Sequence, residues 1–124
     1  MLLSRRTKLS GDDTIFGQSR LGQRLGRLRK SERVYLHHGR RRTLVVDRIV
    51  IGRAKECQIV VSDNLVSRHH AAVQKIRDAY YITDLDSTNG VLVNGDPIKP
   101  GTYVLIKPSD VITVGRTELS FLAG

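Results

Sequence analysis

From Val34 onward, short apolar runs alternate with polar breakers. The runs are Val34-Tyr35-Leu36, Thr43-Leu44-Val45-Val46, Ile49-Val50-Ile51, Ile59-Val60-Val61, Ala71 to Ile76, Tyr80 to Thr83, Val91-Leu92-Val93, Tyr103 to Ile106, Val111 to Val114 and Glu118 to Leu122. Short segments rich in β-branched and aromatic residues predict strands, and their density leaves no room for helices of ordinary length. Between them stand Asp63-Asn64, Arg77-Asp78, Asn89-Gly90, Asn94-Gly95, Pro100-Gly101, Pro108-Ser109-Asp110 and Gly115-Arg116, the residue types that chain reversals require. The pattern predicts an all-β sandwich. The two Asn-Gly pairs bracket Val91-Leu92-Val93, and each is expected to make a tight reversal because both residue types tolerate φ > 0.

Residues 1–33 read differently. A polar stretch runs to about Ser19, and then Leu21, Leu25 and Leu28 fall at i, i+4 and i+7 among arginines, one face of a helix. Gly22 and Gly26 each cost about 1 kcal/mol against Ala there, and about three turns is marginal for an isolated helix. The expected division is therefore a basic, mostly disordered tail over 1–33 and one domain over 34–124. The tail reads as a solvated linker, with a helix for an anionic surface or a partner as the alternative.

Charge sharpens this division. The chain of 124 residues carries a net charge of +9. Residues 1–42 hold 12 Lys/Arg against Asp12, Asp13 and Glu32, whereas 43–124 hold nine of each sign. The basic excess is thus read as a property of the tail, and it does not by itself indicate a nucleic-acid-binding fold. The single cysteine, Cys57, excludes an internal disulfide framework and is read as an ordinary thiol. No apolar run approaches the ~20 residues of a membrane-spanning helix, and the N-terminus lacks the apolar stretch of a secretory signal. A cytoplasmic location is the expectation.

Candidate chemistry must come from the loops. Ser67 precedes His70 by three residues, but a working nucleophile and base also need an orienting acid and oxyanion donors, and no glycine-framed nucleophile turn surrounds Ser67, so no hydrolase is read here. His37, His38, His69, His70 and Cys57 lack zinc-ligand spacing, and Gly52-Arg53-Ala54-Lys55 lacks the glycines of a nucleotide cradle. No catalytic residue, metal or cofactor is expected.

What remains is an ordered set: Gly52-Arg53, then Ser67-Arg68-His69-His70-Ala71, then Asp84-Leu85-Asp86-Ser87-Thr88-Asn89-Gly90 with Val93-Asn94-Gly95 beyond. In this order, within a strand-rich segment, the set closely resembles the forkhead-associated (FHA) domain. The resemblance covers about residues 34–124 and implies an eleven-stranded β-sandwich whose loops at one end bind phosphothreonine in an extended peptide. It implies that Arg53 supplies a guanidinium and Ser67 and Thr88 hydroxyls to the phosphate, while Arg68 and Asn89 grip the peptide. It also implies structural support from Gly52, whose missing side chain allows a close approach of loops, from His70 as a buried imidazole tying two loops together, and from Gly90 completing a turn. Leu65 stands where some members place a polar or basic contact to the peptide.

The resemblance therefore implies a non-catalytic phosphothreonine reader in a Ser/Thr protein kinase pathway, bacterial in style, whose partners are phosphothreonine-containing proteins. The contrasting class is a nucleic-acid or anionic-membrane binder that uses the arginine tail, with the β-domain as scaffold. An assembly scaffold with an unused phosphate site is a third. Asp12-Asp13-Thr14-Ile15-Phe16 is similar to the phosphorylatable tail segment of certain bacterial FHA regulators, which makes Thr14 a candidate phosphorylation site and the chain's own tail a candidate ligand. About 20 residues separate Thr14 from the first predicted strand, a flexible reach of about 25 Å.

Overall fold

The computed structural model describes residues 33–124. Thr14 and the Leu21, Leu25, Leu28 pattern lie outside the described residues. Eleven strands follow in order: β1 (Val34–His38), β2 (Arg41–Leu44), β3 (Arg48–Gly52), β4 (Ile59–Val60), β5 (Ala71–Ile76), β6 (Ala79–Asp84), β7 (Val91–Val93), β8 (Asp96–Pro97), β9 (Val104–Ile106), β10 (Val111–Val114) and β11 (Thr117–Ala123). They form two sheets, one ordered β2-β1-β11-β10-β7-β8 and the other β4-β3-β5-β6-β9. There is no helix among the described residues.

Alternation along the strands builds the core. Val34 and Leu36, Ile49 and Ile51, Val91 and Val93, Ile112 and Val114, and Leu119 and Phe121 are all buried between the sheets, as the two-residue period of a strand requires. Each such side chain stabilises the fold by about 1.5–3 kcal/mol relative to exposure. Tyr80 of β6 meets Phe121 of β11 edge-on at 5.2 Å, joining one sheet to the other.

Three expectations from the pattern are corrected. The run read as Thr43 to Val46 pairs two residues earlier, with His38 opposite Arg41 and Tyr35 opposite Leu44. Val45 then turns into the core while Val46 is left 67% exposed. The arginines carry strand geometry because the Arg42 guanidinium lies 4.3 Å over the Tyr35 ring, exchanging solvent for a cation–π contact. The second difference is β8, which the apolar runs do not reveal because both of its residues are exposed. The third concerns the Asn-Gly pairs. Asn94 and Gly95, with φ of 52° and 86°, make the tight hairpin between β7 and β8. Asn89-Gly90 does not, because β6 and β7 belong to different sheets and the chain crosses between them there.

Pairing fixes which loops share an end. Ile51 lies opposite Ala71 and Ala71 opposite Asp84, so β3 ends where β5 begins and β6 ends. Val114 lies opposite Val91 in the other sheet, so the β10–β11 turn stands beside the entry to β7. The β3–β4, β4–β5, β6–β7 and β10–β11 connections therefore meet at the same end of the sandwich.

Candidate functional site

The loop after β3 and the loop before β5 run against each other as a pair of hydrogen-bonded backbones. Arg53 N–H donates to Ser67 O at 3.0 Å and Ala54 N–H to Arg68 O at 3.1 Å. Gly52 makes this approach possible: a Cβ on it would lie 2.1 Å from Arg68 O and 2.8 Å from the carbonyl carbon. Beneath them the buried Cys57 thiol donates to Arg68 O at 3.2 Å, and burial pushes its pKa up, which keeps it protonated.

Two side chains are oriented by this frame. The Arg53 Nε–H donates to Val66 O at 2.9 Å, which fixes the plane of an exposed guanidinium and leaves its Nη donors for other partners. The Ser67 hydroxyl oxygen accepts the Thr88 N–H at 3.0 Å. Its proton is thereby left to donate elsewhere.

His70 sits below. It is fully buried, its Nδ1 accepts the Ser67 N–H at 2.9 Å, and its Nε2 lies 2.7 Å from Gly90 O. Because Nδ1 accepts, the hydrogen-bond network assigns the proton to Nε2, which donates to Gly90. One imidazole so ties the Ser67 loop to the loop that crosses between sheets. In that third loop Asp84 Oδ1 accepts the Ser87 N–H at 2.8 Å and Ser87 Oγ accepts the Gly90 N–H at 2.9 Å, with Gly90 at φ +85°. Asn89 closes the rim: its Nδ2 donates to Leu65 O at 2.9 Å, leaving Oδ1 as an acceptor.

The structure thus brings Arg53, Ser67, Thr88 and Asn89 to one surface, with Gly52, His70 and Gly90 under it. Thr88 is exposed, and its amide rather than its hydroxyl contacts Ser67. Arg68 stands apart on the rim, where its Nη2 is 4.0 Å from Glu56 Oε2. The same oxygen is 3.0 Å from His69 Nε2. A backbone hydrogen bond, reinforced by His69 and Arg68, holds the Glu56 carboxyl below the usual carboxylate range. Thr14 is outside the described residues.

Asp63, which the sequence marks only as a turn residue, anchors the loop from the other side. The carboxylate is nearly buried, and its Oδ1 accepts the Leu65 N–H at 2.9 Å. Its Oδ2 accepts the Arg116 N–H at 2.8 Å and the Thr117 hydroxyl at 3.1 Å. These bonds, the Leu65 amide first, hold its pKa below the ordinary value. Asn94 does more than make the reversal its Asn-Gly pair predicts. It is a second tie: its Oδ1 accepts the Val111 N–H at 2.8 Å while its Nδ2 donates to the buried Asp110 at 2.9 Å.

The described residues thus form a two-sheet β-sandwich with a basic and hydroxylic apex made by three interlocked loops. Residues 49–115 match the FHA domain family model, more than half of the chain, and the chain belongs to that family. It is 38% identical over 58 residues to FraH of Nostoc sp., a match covering 47% of this chain and 20% of that protein. Mycobacterium tuberculosis EmbR, solved in complex with a low-affinity phosphopeptide, superposes with a TM-score of 0.67 at 32% identity, over 73% of this chain and 24% of that one. An FHA domain solved for its phosphothreonine-dependent interactions superposes with a TM-score of 0.66 at 28% identity, over 73% and 95%. The chain spans about half or less of the length of the curated relatives it matches.

Proposed function

We propose that this chain is a phosphothreonine-reading interaction module for proteins modified by a Ser/Thr kinase, and that it performs no chemistry on them. The observation that carries this reading is the Thr88–Ser67–Arg53 arrangement. Ser67 accepts an amide and so presents its hydroxyl proton, while Arg53, clamped through Nε, presents its Nη donors. A phosphothreonine brings about −1.5 to −2 charges and three acceptor oxygens. Charge-assisted bonds from a pre-oriented fork and a hydroxyl lose little entropy on binding and suit that group. Asn89 Oδ1 and the exposed Arg68 then have an extended peptide backbone within their chemistry, and Leu65, 40% exposed, adds an apolar contact at the rim.

The test is calorimetry with a phosphothreonine peptide and its unphosphorylated form. Binding is expected only for the former, weaker for phosphoserine, and declining from pH 7 towards 5 as the phosphate, whose second pKa is about 6, loses its second charge. Equal binding of both forms overturns the reading. A phosphorylated Thr14 is an internal ligand for the same site. Concentration-independent NMR shifts at Arg53, Ser67 and Asn89 on Thr14 phosphorylation support that, and shifts confined to the neighbourhood of Thr14 refute it.

A further inference from the structure

The sequence assigns the basic excess to the tail, yet part of it stands on the folded domain. Residues 33–124 contain 13 Lys/Arg and nine Asp/Glu, and three of those acids, Asp63, Asp84 and Asp110, are buried. The surplus gathers at the β1–β2 hairpin, where Arg40, Arg41 and Arg42 are all exposed beside His37 and His38. None of the three arginines forms an ion pair with a described residue. Arg42 is turned back over Tyr35, towards Gly124 at the far end of β11, which leaves Arg40 and Arg41 at the tip.

Register puts this hairpin at the end that carries the recognition loops. His37 lies opposite Ser120, so continuing the ladder sets Gly39 level with Glu118, next to the β10–β11 turn. That turn holds Arg116, 72% exposed, whose Nη2 is 3.5 Å from Asp63 Oδ1 in the loop leading to Ser67. Glu118 is a single exposed carboxylate against these guanidinium groups. In the order β2-β1-β11-β10-β7, with strands ~4.8 Å apart, the hairpin stands about 14–19 Å from the entry to β7, where the Asn89 loop arrives. An extended peptide advances ~3.3 Å per residue, so that span equals about four to six residues.

We infer that Arg40 and Arg41 of the hairpin, with Arg116, read an acidic segment, of Asp, Glu or further phosphorylated residues, about four to six positions to one side of the phosphothreonine in a partner protein. The inference rests on the site reading above and adds a specificity element to it. Charge selects the occupant. The chain's own residues 1–32 carry eight Lys/Arg against three acids, and no acid stands four to six positions from Thr14, so a tail held at the phosphate site offers the hairpin nothing to read, whereas an acidic flank in a partner is attracted both before and after docking.

The experiment uses the full chain and three peptides with one phosphothreonine each: four Glu at positions four to seven after it, four Glu at the same distance before it, or Ser in all those places. One Glu peptide is expected to bind about five- to tenfold more tightly than the Ser peptide at low salt, since each exposed pair adds little and several act together. The gain is expected to vanish near 0.5 M salt, where the Debye length shrinks to about 4 Å. The double variant Arg40→Gln, Arg41→Gln should abolish the gain and leave Ser-peptide affinity and the melting temperature unchanged. No gain from either Glu peptide, or a gain that survives the double variant, overturns the inference. So does a double variant that loses affinity for phosphatidylserine-containing vesicles while keeping the Glu preference, because the hairpin would then serve a membrane. A Ser peptide that binds no better than its unphosphorylated form overturns the site reading itself, a separately visible result.

Discussion

Replacing Gly52 by Ala adds one methyl group where the β3 backbone passes the β4–β5 loop. The added Cβ would sit 2.1 Å from Arg68 O, and real Cβ contacts do not close below 3.0 Å, so the two backbones must part by about 0.9 Å. The bonds that join them, Arg53 N–H to Ser67 O at 3.0 Å and Ala54 N–H to Arg68 O at 3.1 Å, then stretch to nearly 4 Å and are lost. At about 0.5–1.5 kcal/mol each, that costs about 1–3 kcal/mol. Opposing it, Ala restricts the unfolded chain and contributes about 0.4–1 kcal/mol. Strain and bond loss win by about 1–2 kcal/mol, which for a domain of this size lowers Tm by about 4–16 °C. The same displacement separates Arg53 from Ser67, so phosphopeptide affinity should fall at least about tenfold, the equivalent of one charge-assisted bond of about 1.5 kcal/mol, even at temperatures where the variant is folded. Thermal unfolding by circular dichroism and calorimetry at 10 °C read the two effects separately. A Gly52→Ala variant with unchanged Tm and unchanged affinity would show that the loops do not depend on this approach.

Other variants divide ligand contacts from framework. Arg53→Ala should weaken phosphopeptide binding by about 1.5–3 kcal/mol, roughly ten- to 150-fold, with a Tm loss limited to its bond to Val66 O; calorimetry on the folded variant decides, and unchanged affinity removes Arg53 from the site. His70→Ala orphans the Ser67 N–H and the Gly90 carbonyl, at about 1–3 kcal/mol for each buried group, so a fall in denaturation midpoint should accompany any loss of binding. Full stability with binding lost would contradict its assignment as a tie between loops. Asn94→Ala should destabilise by about 1–3 kcal/mol, since it removes two side-chain bonds at φ 52°, while affinity stays within about twofold because Asn94 is on the β7–β8 hairpin. Asp63 supplies a pH signature. Its folded pKa is depressed, so its stabilisation is complete above the ordinary carboxylate value of about 3.9 and is lost as pH falls through the lower folded value. Asp63→Asn should therefore flatten the acid limb of stability below about pH 4, and an unaltered limb in urea titrations would count against the carboxylate as the anchor.

Which parts of this architecture were legible depends on whether the signal is local. Alternation at Val34/Leu36, Ile112/Val114 and Leu119/Phe121 announces strands because one buried face imposes a period of two on adjacent residues. β8 had no such face to announce it. Asn89-Gly90 and Asn94-Gly95 are the same dipeptide with different outcomes, since whether a turn closes a hairpin depends on which sheet receives the next strand, a property of residues far away. The site shows the same split. Arg53, Ser67, Thr88 and Asn89 are visible as a motif because each occupies a fixed offset within its own loop. Asp63 is not, since its partners Arg116 and Thr117 lie more than 50 residues on and Asp-Asn reads equally well as an ordinary turn. Gly52 falls between these cases. The residue is conspicuous beside Arg53, but the reason for it is the Arg68 carbonyl, which only the crossing of two loops supplies. The residues proposed to touch phosphate are thus the legible part of the site, and the groups that hold them at the right separation are the part that only the fold brings together. For that reason the framework variants, Gly52→Ala and His70→Ala, test the structure more severely than the loss of Arg53 does.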